Sequence, residues 1–94
     1  MALHIHKYGG TSVGSLDRIR TVAQTVAKRR EAGDDVVVVV SAMAGDTNRL
    51  ESLGQGLSDK PNTREMDVLL SAGEQISAAL TVMALDQLGY KARS

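Results

Sequence analysis

Lys7-Tyr8-Gly9-Gly10-Thr11-Ser12 and, further along, Val36-Val37-Val38-Val39-Val40-Ser41-Ala42 decide the fold between them. Ahead of the first, Ala2 to Tyr8 sets Leu3 and Ile5 against His4 and His6 and then breaks at paired glycines, which predicts a strand running into a tight loop. The valine run follows Asp34-Asp35 and predicts a second strand. A β-branched run without polar alternation suits a strand covered on both faces, as in the middle of a parallel sheet. Between the two, Ile19, Val22, Ala23, Val26 and Ala27 recur at helical spacing, opposite Arg18, Arg20, Gln24, Lys28 and Arg29. Ser15 as N-cap, basic residues in the last turn and Gly33 beyond it bound a helix from about Leu16 to about Ala32. Strand, helix, strand is the pattern of a right-handed crossover unit.

Beyond the second strand, Ala42 to Thr47 reads as a loop, and Leu50, Leu53 and Leu57 mark a short helix weakened by Gly54 and Gly56. Pro61 separates it from a helix capped by Asn62 with Glu65, whose apolar face is Met66, Leu69 and Leu70. Ser71-Ala72-Gly73-Glu74 is a candidate interruption, since Ser71-x-x-Glu74 is itself a capping box. Ile76, Ala79, Leu80, Met83 and Leu85 then continue a helical pattern to Gly89, and Tyr90 to Ser94 reads as the first residues of another strand. Met43, Met66 and Met83 read as core fillers; Arg18, Arg20, Lys28, Arg29 and Arg30 read as a solvated face. Two strands and the start of a third cannot close a parallel sheet, so the chain is expected to be the front portion of a larger α/β domain.

Composition narrows the function. The chain has 94 residues, eleven Lys plus Arg against eleven Asp plus Glu, and no Cys. A net charge of zero argues against nucleic-acid or membrane partners held by bulk electrostatics. Without cysteine nothing asks for an oxidising compartment, and a cytoplasmic location is expected. The start carries no secretory leader pattern, and Val36 to Val40, the longest apolar run, is far too short to span a bilayer. His4 and His6, two apart on a strand, point to one face about 7 Å apart. With no third ligand in view, no metal site is expected.

Lys7-Tyr8-Gly9-Gly10 lies where a strand meets a helix, the physical arrangement for holding phosphate. Glycines let backbone N–H groups approach an anion, and the helix start adds its dipole. The spacing matches neither a Walker A loop nor G-x-G-x-x-G, and a tight turn with a solvated lysine is the competing reading. The loop Ser41-Ala42-Met43-Ala44-Gly45-Asp46-Thr47-Asn48 also opens at the carboxyl end of a parallel strand, where open α/β sheets bind their ligands.

Ile5-His6-Lys7-Tyr8-Gly9-Gly10-Thr11-Ser12-Val13, then Ser41-Ala42 with Gly45, Thr47 and Asn48, then Ser71-Ala72-Gly73-Glu74, together resemble the amino-terminal part of the aspartokinases of the amino-acid kinase family. The resemblance covers almost the whole chain. It implies an αβα sandwich on a mainly parallel sheet, of which residues 1–94 would be the amino-terminal portion, with the rest of the kinase domain and the regulatory ACT domains absent. The implied reaction is transfer of phosphoryl from ATP, with Mg2+ bound through ATP, to the side-chain carboxylate of L-aspartate, at the entry to lysine, threonine and methionine synthesis. By the same resemblance Lys7 contacts the transferring phosphates as the catalytic cation. Tyr8, Gly9, Gly10 and Ser41 line the phosphate side, while Thr47 and Glu74 bind aspartate, Glu74 at its ammonium group. The parent enzyme would be oligomeric and the isolated chain inactive. Two readings of other classes stand beside it, a nucleotide- or anion-binding regulatory module without catalysis, and an interaction fragment that acts only through assembly.

Overall fold

The computed structural model describes all 94 residues. In chain order the elements are β1 (Leu3–Tyr8), α1 (Leu16–Glu31), β2 (Asp35–Val40), α2 (Asp46–Leu57) and α3 (Thr63–Gln87). β1 and β2 pair in parallel, from Leu3 opposite Asp35 to Tyr8 opposite Val40. α1 makes the crossover, and its ends are closed as the sequence requires. The Ser15 hydroxyl accepts from the Arg18 N–H at 3.2 Å. Gly33, at φ +92°, takes the left-handed turn and donates its N–H to the Arg30 carbonyl at 2.9 Å.

Asp34 ties the start of β1 to the turn that follows α1. One carboxylate oxygen accepts from the Ala2 N–H at 3.0 Å, and the other faces His4 Nε2 at 3.3 Å and Arg29 at 3.5 Å. Next to it, the Arg30 guanidinium reaches the Asp35 carboxylate at 2.7 Å.

The core is Val13, Ile19, Val22, Ala23, Val26 and Leu85, with Tyr8, Val36, Val38, Val40 and Met43 packed against it. Burial alternates along both strands. His4, His6, Tyr8, Val36, Val38 and Val40 face the helices, whereas Leu3, Ile5, Lys7, Val37 and Val39 form an open face. The valine strand is therefore covered on one side only, because the helices of this chain lie against a single face of the pair; Ile5 remains 69% exposed and Val37 48%. The Cα radius of gyration is 15.3 Å, against the roughly 12 Å expected of a closed domain this long. Only 12 of the 94 residues are buried, as that open shape requires.

The last half of the chain departs from the sequence reading in four places. α2 begins at Asp46, so Asp46 and Thr47 belong to its first turn and not to the loop. α3 runs unbroken through Ser71-Ala72-Gly73-Glu74. An N-cap needs extended backbone, but Ser71 follows a run of good helix formers, and its hydroxyl donates to the Val68 carbonyl at 2.8 Å inside the helix. Tyr90 to Ser94 pair with no strand; Tyr90 N–H instead closes the end of α3 on the Leu85 carbonyl, and its phenol donates to Glu31 at 2.7 Å. Met83 is 63% exposed, whereas Met43 and Met66 are half-buried as expected. The basic face of α1 is exposed throughout.

Asn62 does cap α3, accepting from the Glu65 N–H at 3.1 Å. The buried stripe of that helix is Gly73, Ser77, Thr81 and Leu85, spaced by four and mostly small or polar. At 25 residues α3 is long and apolar enough to cross a membrane by length and composition, which the sequence reading did not anticipate. Here it packs on α1, α2 and β2 as a layer of the fold.

Asn62→Ala should lower stability by about 1 kcal/mol. Ser71→Ala should change it by no more than about 0.5 kcal/mol, since the residue it replaces bonds only its own helix. Denaturation midpoints of the two variants check this, and equal losses would restore Ser71 as a cap.

Candidate functional site

Parallel pairing delivers the loops that leave β1 and β2 to one edge of the sheet, and main-chain bonds continue past the strands. The Ser41 N–H donates to the Tyr8 carbonyl at 3.1 Å and the Ala44 N–H to the Gly10 carbonyl at 3.2 Å. This approach is close at residue 10, where a Cβ would stand 3.0 Å from the Ala42 carbonyl oxygen and would press it back by a few tenths of an ångström. Within the joined loops, the N–H groups of Gly9, Gly10 and Thr11, and of Ala42, Met43 and Gly45, donate to no acceptor in the chain. Two rows of unsatisfied backbone donors therefore lie in loops at one sheet edge, the kind of group that can bind an anion.

Lys7 stands beside them on the open face of the sheet, exposed and in register with Val39. It forms no ion pair. Tyr8 points the other way, into the helix layer, where its hydroxyl meets His6 Nδ1 at 3.3 Å. It therefore contributes its carbonyl to the loop and not its phenol. Ser41 is half-buried, and its carbonyl accepts from the Ser77 hydroxyl at 2.6 Å.

Thr47 is exposed in the first turn of α2, and Glu74 is exposed midway along α3, lining a groove with Val39, Val40, Ser71 and Gln75. α2 meets α3 where Asp46 packs beside Gly73: a Cβ added to Gly73 would stand 3.8 Å from that of Asp46 and 2.9 Å from that of Ala42. Thr47 and Glu74 each follow one of these contact residues. The fold thus joins the Gly9-Gly10 and Ser41 loops and sets the second of them against the stretch of α3 that carries Glu74. No hydrogen bond or ion pair joins Lys7, Thr47 and Glu74 to one another. Gly73 and Ser77 hold this arrangement and were not singled out from the sequence. Gly73 did appear within a motif, but the need for a missing side chain shows only when Ala42 is placed against it.

His4 and His6 stack edge-on, with ring centroids 6.1 Å apart. His4 is engaged by Asp34 and His6 by Tyr8. The chain has no group of three His, Cys, Asp or Glu side chains placed to hold a metal ion.

A model of the amino acid kinase family matches residues 3–94. The chain belongs to the amino acid kinase family. Over all 94 residues it is 56% identical to an aspartate kinase of Pseudomonas putida and 52% identical to an aspartokinase of Geobacillus stearothermophilus, and it spans 23% of the length of each. A crystal structure of aspartate kinase from Synechocystis superposes with a TM-score of 0.89 at 49% identity, covering 92% of this chain and 15% of that one. The α/β architecture expected from the sequence is therefore that of the family.

Two predictions follow for this kinase-family chain. Gly73→Ala should destabilise it by about 1 to 3 kcal/mol, because the new methyl meets Ala42 in a buried contact. Gly56→Ala, with nothing within 4 Å, should stabilise α2 by up to about 1 kcal/mol. Thermal melts of the pair read the sign directly.

Both phenols are held protonated beyond their ordinary value of 10.0: Tyr8 by burial, Tyr90 first by its hydrogen bond to Glu31, then by burial and the charge of that carboxylate. A raised acid stabilises the fold fully below pH 10, and that contribution is lost as pH rises through the raised values. With two tyrosines and no tryptophan, phenolate absorbance reports them cleanly. Ionisation should be delayed past 10.0 in the folded chain and return to it in denaturant.

Proposed function

We propose that this chain supplies the phosphate-binding part of an aspartate kinase. The reaction is transfer of the γ-phosphoryl group of MgATP to the side-chain carboxylate of L-aspartate, giving 4-phospho-L-aspartate, the first step toward lysine, threonine and methionine. The observation that carries this reading is the pair of loops with unsatisfied N–H groups beside the unpaired Lys7, in a chain 56% identical to an aspartate kinase.

The chemistry asks for little else. An aspartate carboxylate, with a pKa near 4, is already ionised at neutral pH, so no general base is required and catalysis rests on positioning and charge neutralisation. The amides of Gly9, Gly10, Ala42 and Met43 suit phosphate oxygens, and Lys7 adds a compact cation where charge moves in the transition state. Ser41 precedes the second row and would line the phosphate side. Thr47 and Glu74 would hold aspartate, Glu74 opposing its ammonium. The loop amides and Lys7 would suit the phosphates of ATP, with Mg2+ bound through the nucleotide. The rest of the reading is a cytoplasmic, oligomeric enzyme with no nucleic-acid or membrane partner.

The test is a full-length chimera in which this chain replaces the matching residues of the Pseudomonas putida enzyme. It should phosphorylate aspartate. Lys7→Ala should cut turnover by roughly two to three orders of magnitude, and Glu74→Gln should raise the aspartate KM about ten- to one-hundredfold with little change in that for ATP. ATP binding without aspartate-dependent turnover would favour a non-catalytic module, and near-normal turnover of Lys7→Ala would remove Lys7 from the site.

A further inference from the structure

The buried polar side chains of this chain are Ser77 and Thr81, on successive turns of α3. They are bonded differently. Thr81 donates to the Ser77 carbonyl at 2.8 Å, the usual way a helical threonine satisfies itself. Ser77 had the same option in the Glu74 carbonyl, 3.0 Å away, but a shorter contact of 2.6 Å leads out of the helix to the Ser41 carbonyl. A hydroxyl has one proton, and the 2.6 Å contact to Ser41 is the shorter of its two acceptors.

That single bond spans 36 residues of sequence and joins the two halves of the site. On one side is the loop whose Ala42 and Met43 amides are unsatisfied. On the other is the helical turn that begins at Glu74. Gly73, one turn earlier, adds a second contact to the same loop by admitting Ala42. Ser77 is completely excluded from solvent, so water cannot take over its role.

We propose that Ser77 is a positioning residue: its hydroxyl pins the Ser41–Gly45 loop to α3 and so sets the separation between the phosphate-facing amides and Glu74. The proposal rests on the aspartate kinase reading for what the two sides bind. Ser77 itself touches neither substrate.

In the chimera, Ser77→Ala should raise the KM for both ATP and aspartate about three- to tenfold, the loss of one neutral hydrogen bond felt at both sites. Ser77→Cys, a weaker donor, should fall between it and the wild type. Thr81→Val is the control: it removes an equally buried hydroxyl that bonds only within α3, and both KM values should stay within twofold of wild type. A purely structural role predicts that Ser77→Ala lowers the melting temperature and leaves KM untouched, and that result would overturn the proposal. So would equal KM shifts in the Ser77 and Thr81 variants. If the wild-type chimera shows no aspartate-dependent turnover, the kinase reading fails by itself. The tether is then judged by amide hydrogen exchange over residues 41–45: faster exchange in Ser77→Ala than in Thr81→Val sustains it, and equal exchange overturns it.

Discussion

A main-chain hydrogen bond from Ala44 to the Gly10 carbonyl joins the two loops beyond the ends of the strands, and the shape of the candidate site depends on it. Glycine at position 10 eases it, since a Cβ there would press on the Ala42 carbonyl at 3.0 Å. It also needs the strands in parallel register, which requires a crossover long enough to return the chain to the start of the sheet. α1, at 16 residues, is about 24 Å long, close to the roughly 20 Å of a six-residue strand, so it delivers Asp35 beside Leu3 with only a short turn. Asp34 then fastens that junction. The site at one end of the strands is thus fixed by a length match and a carboxylate clasp at the other.

The energetics of the pair are lopsided. On the helix side Val36, Val38 and Val40 pack against α1 and α3, while on the other Leu3, Ile5, Val37 and Val39 keep about half or more of their surface in water. Fully burying side chains of this size contributes about 1.5 to 3 kcal/mol each, so a large stabilising term is unrealised within these residues. A parallel pair normally rests between two layers, and this face is where a second layer would sit. α3 has the same character, with its small stripe buried and Val68, Ile76 and Met83 outward.

What the sequence showed and what it hid divide along physical lines. α1 was legible from end to end because its cap, periodicity and terminal glycine are all local signals. The two loops were legible because a parallel crossover leaves no choice about which edge they share. The unbroken course of α3 was not: Ser71-x-x-Glu74 imitates a helix start, and only helical backbone on both sides of Ser71 shows that its hydroxyl bonds inward. The valine run hid its alternation because identical residues carry no phase. Tyr90 looked like a strand residue by type, yet its partners are Leu85 and Glu31, the latter far away in sequence. Within the candidate site, Lys7, Gly10 and Ser41 stood out by their place in the motifs, while Ser77 looked like any serine in an apolar helix. Its role comes from a contact with a residue on a different element, which no local pattern encodes.

This division agrees with the chemistry proposed for the site. A reaction that needs a perturbed base or a metal leaves a conspicuous cluster of titratable side chains. Phosphoryl transfer to a carboxylate that is already ionised demands fixed distances between an anion cradle, a cation and an acceptor. Distances are held by small residues that let backbones approach and by buried hydroxyls that bridge elements. Gly10 admits the Ala42 carbonyl, Gly73 admits Ala42, and Ser77 holds the Ser41 carbonyl. None of the three carries charge or would attract notice by composition. In a site proposed to work by placement, the residues on which geometry depends are the inconspicuous ones, and the charged groups at Lys7 and Glu74 would be useful only where those residues put them.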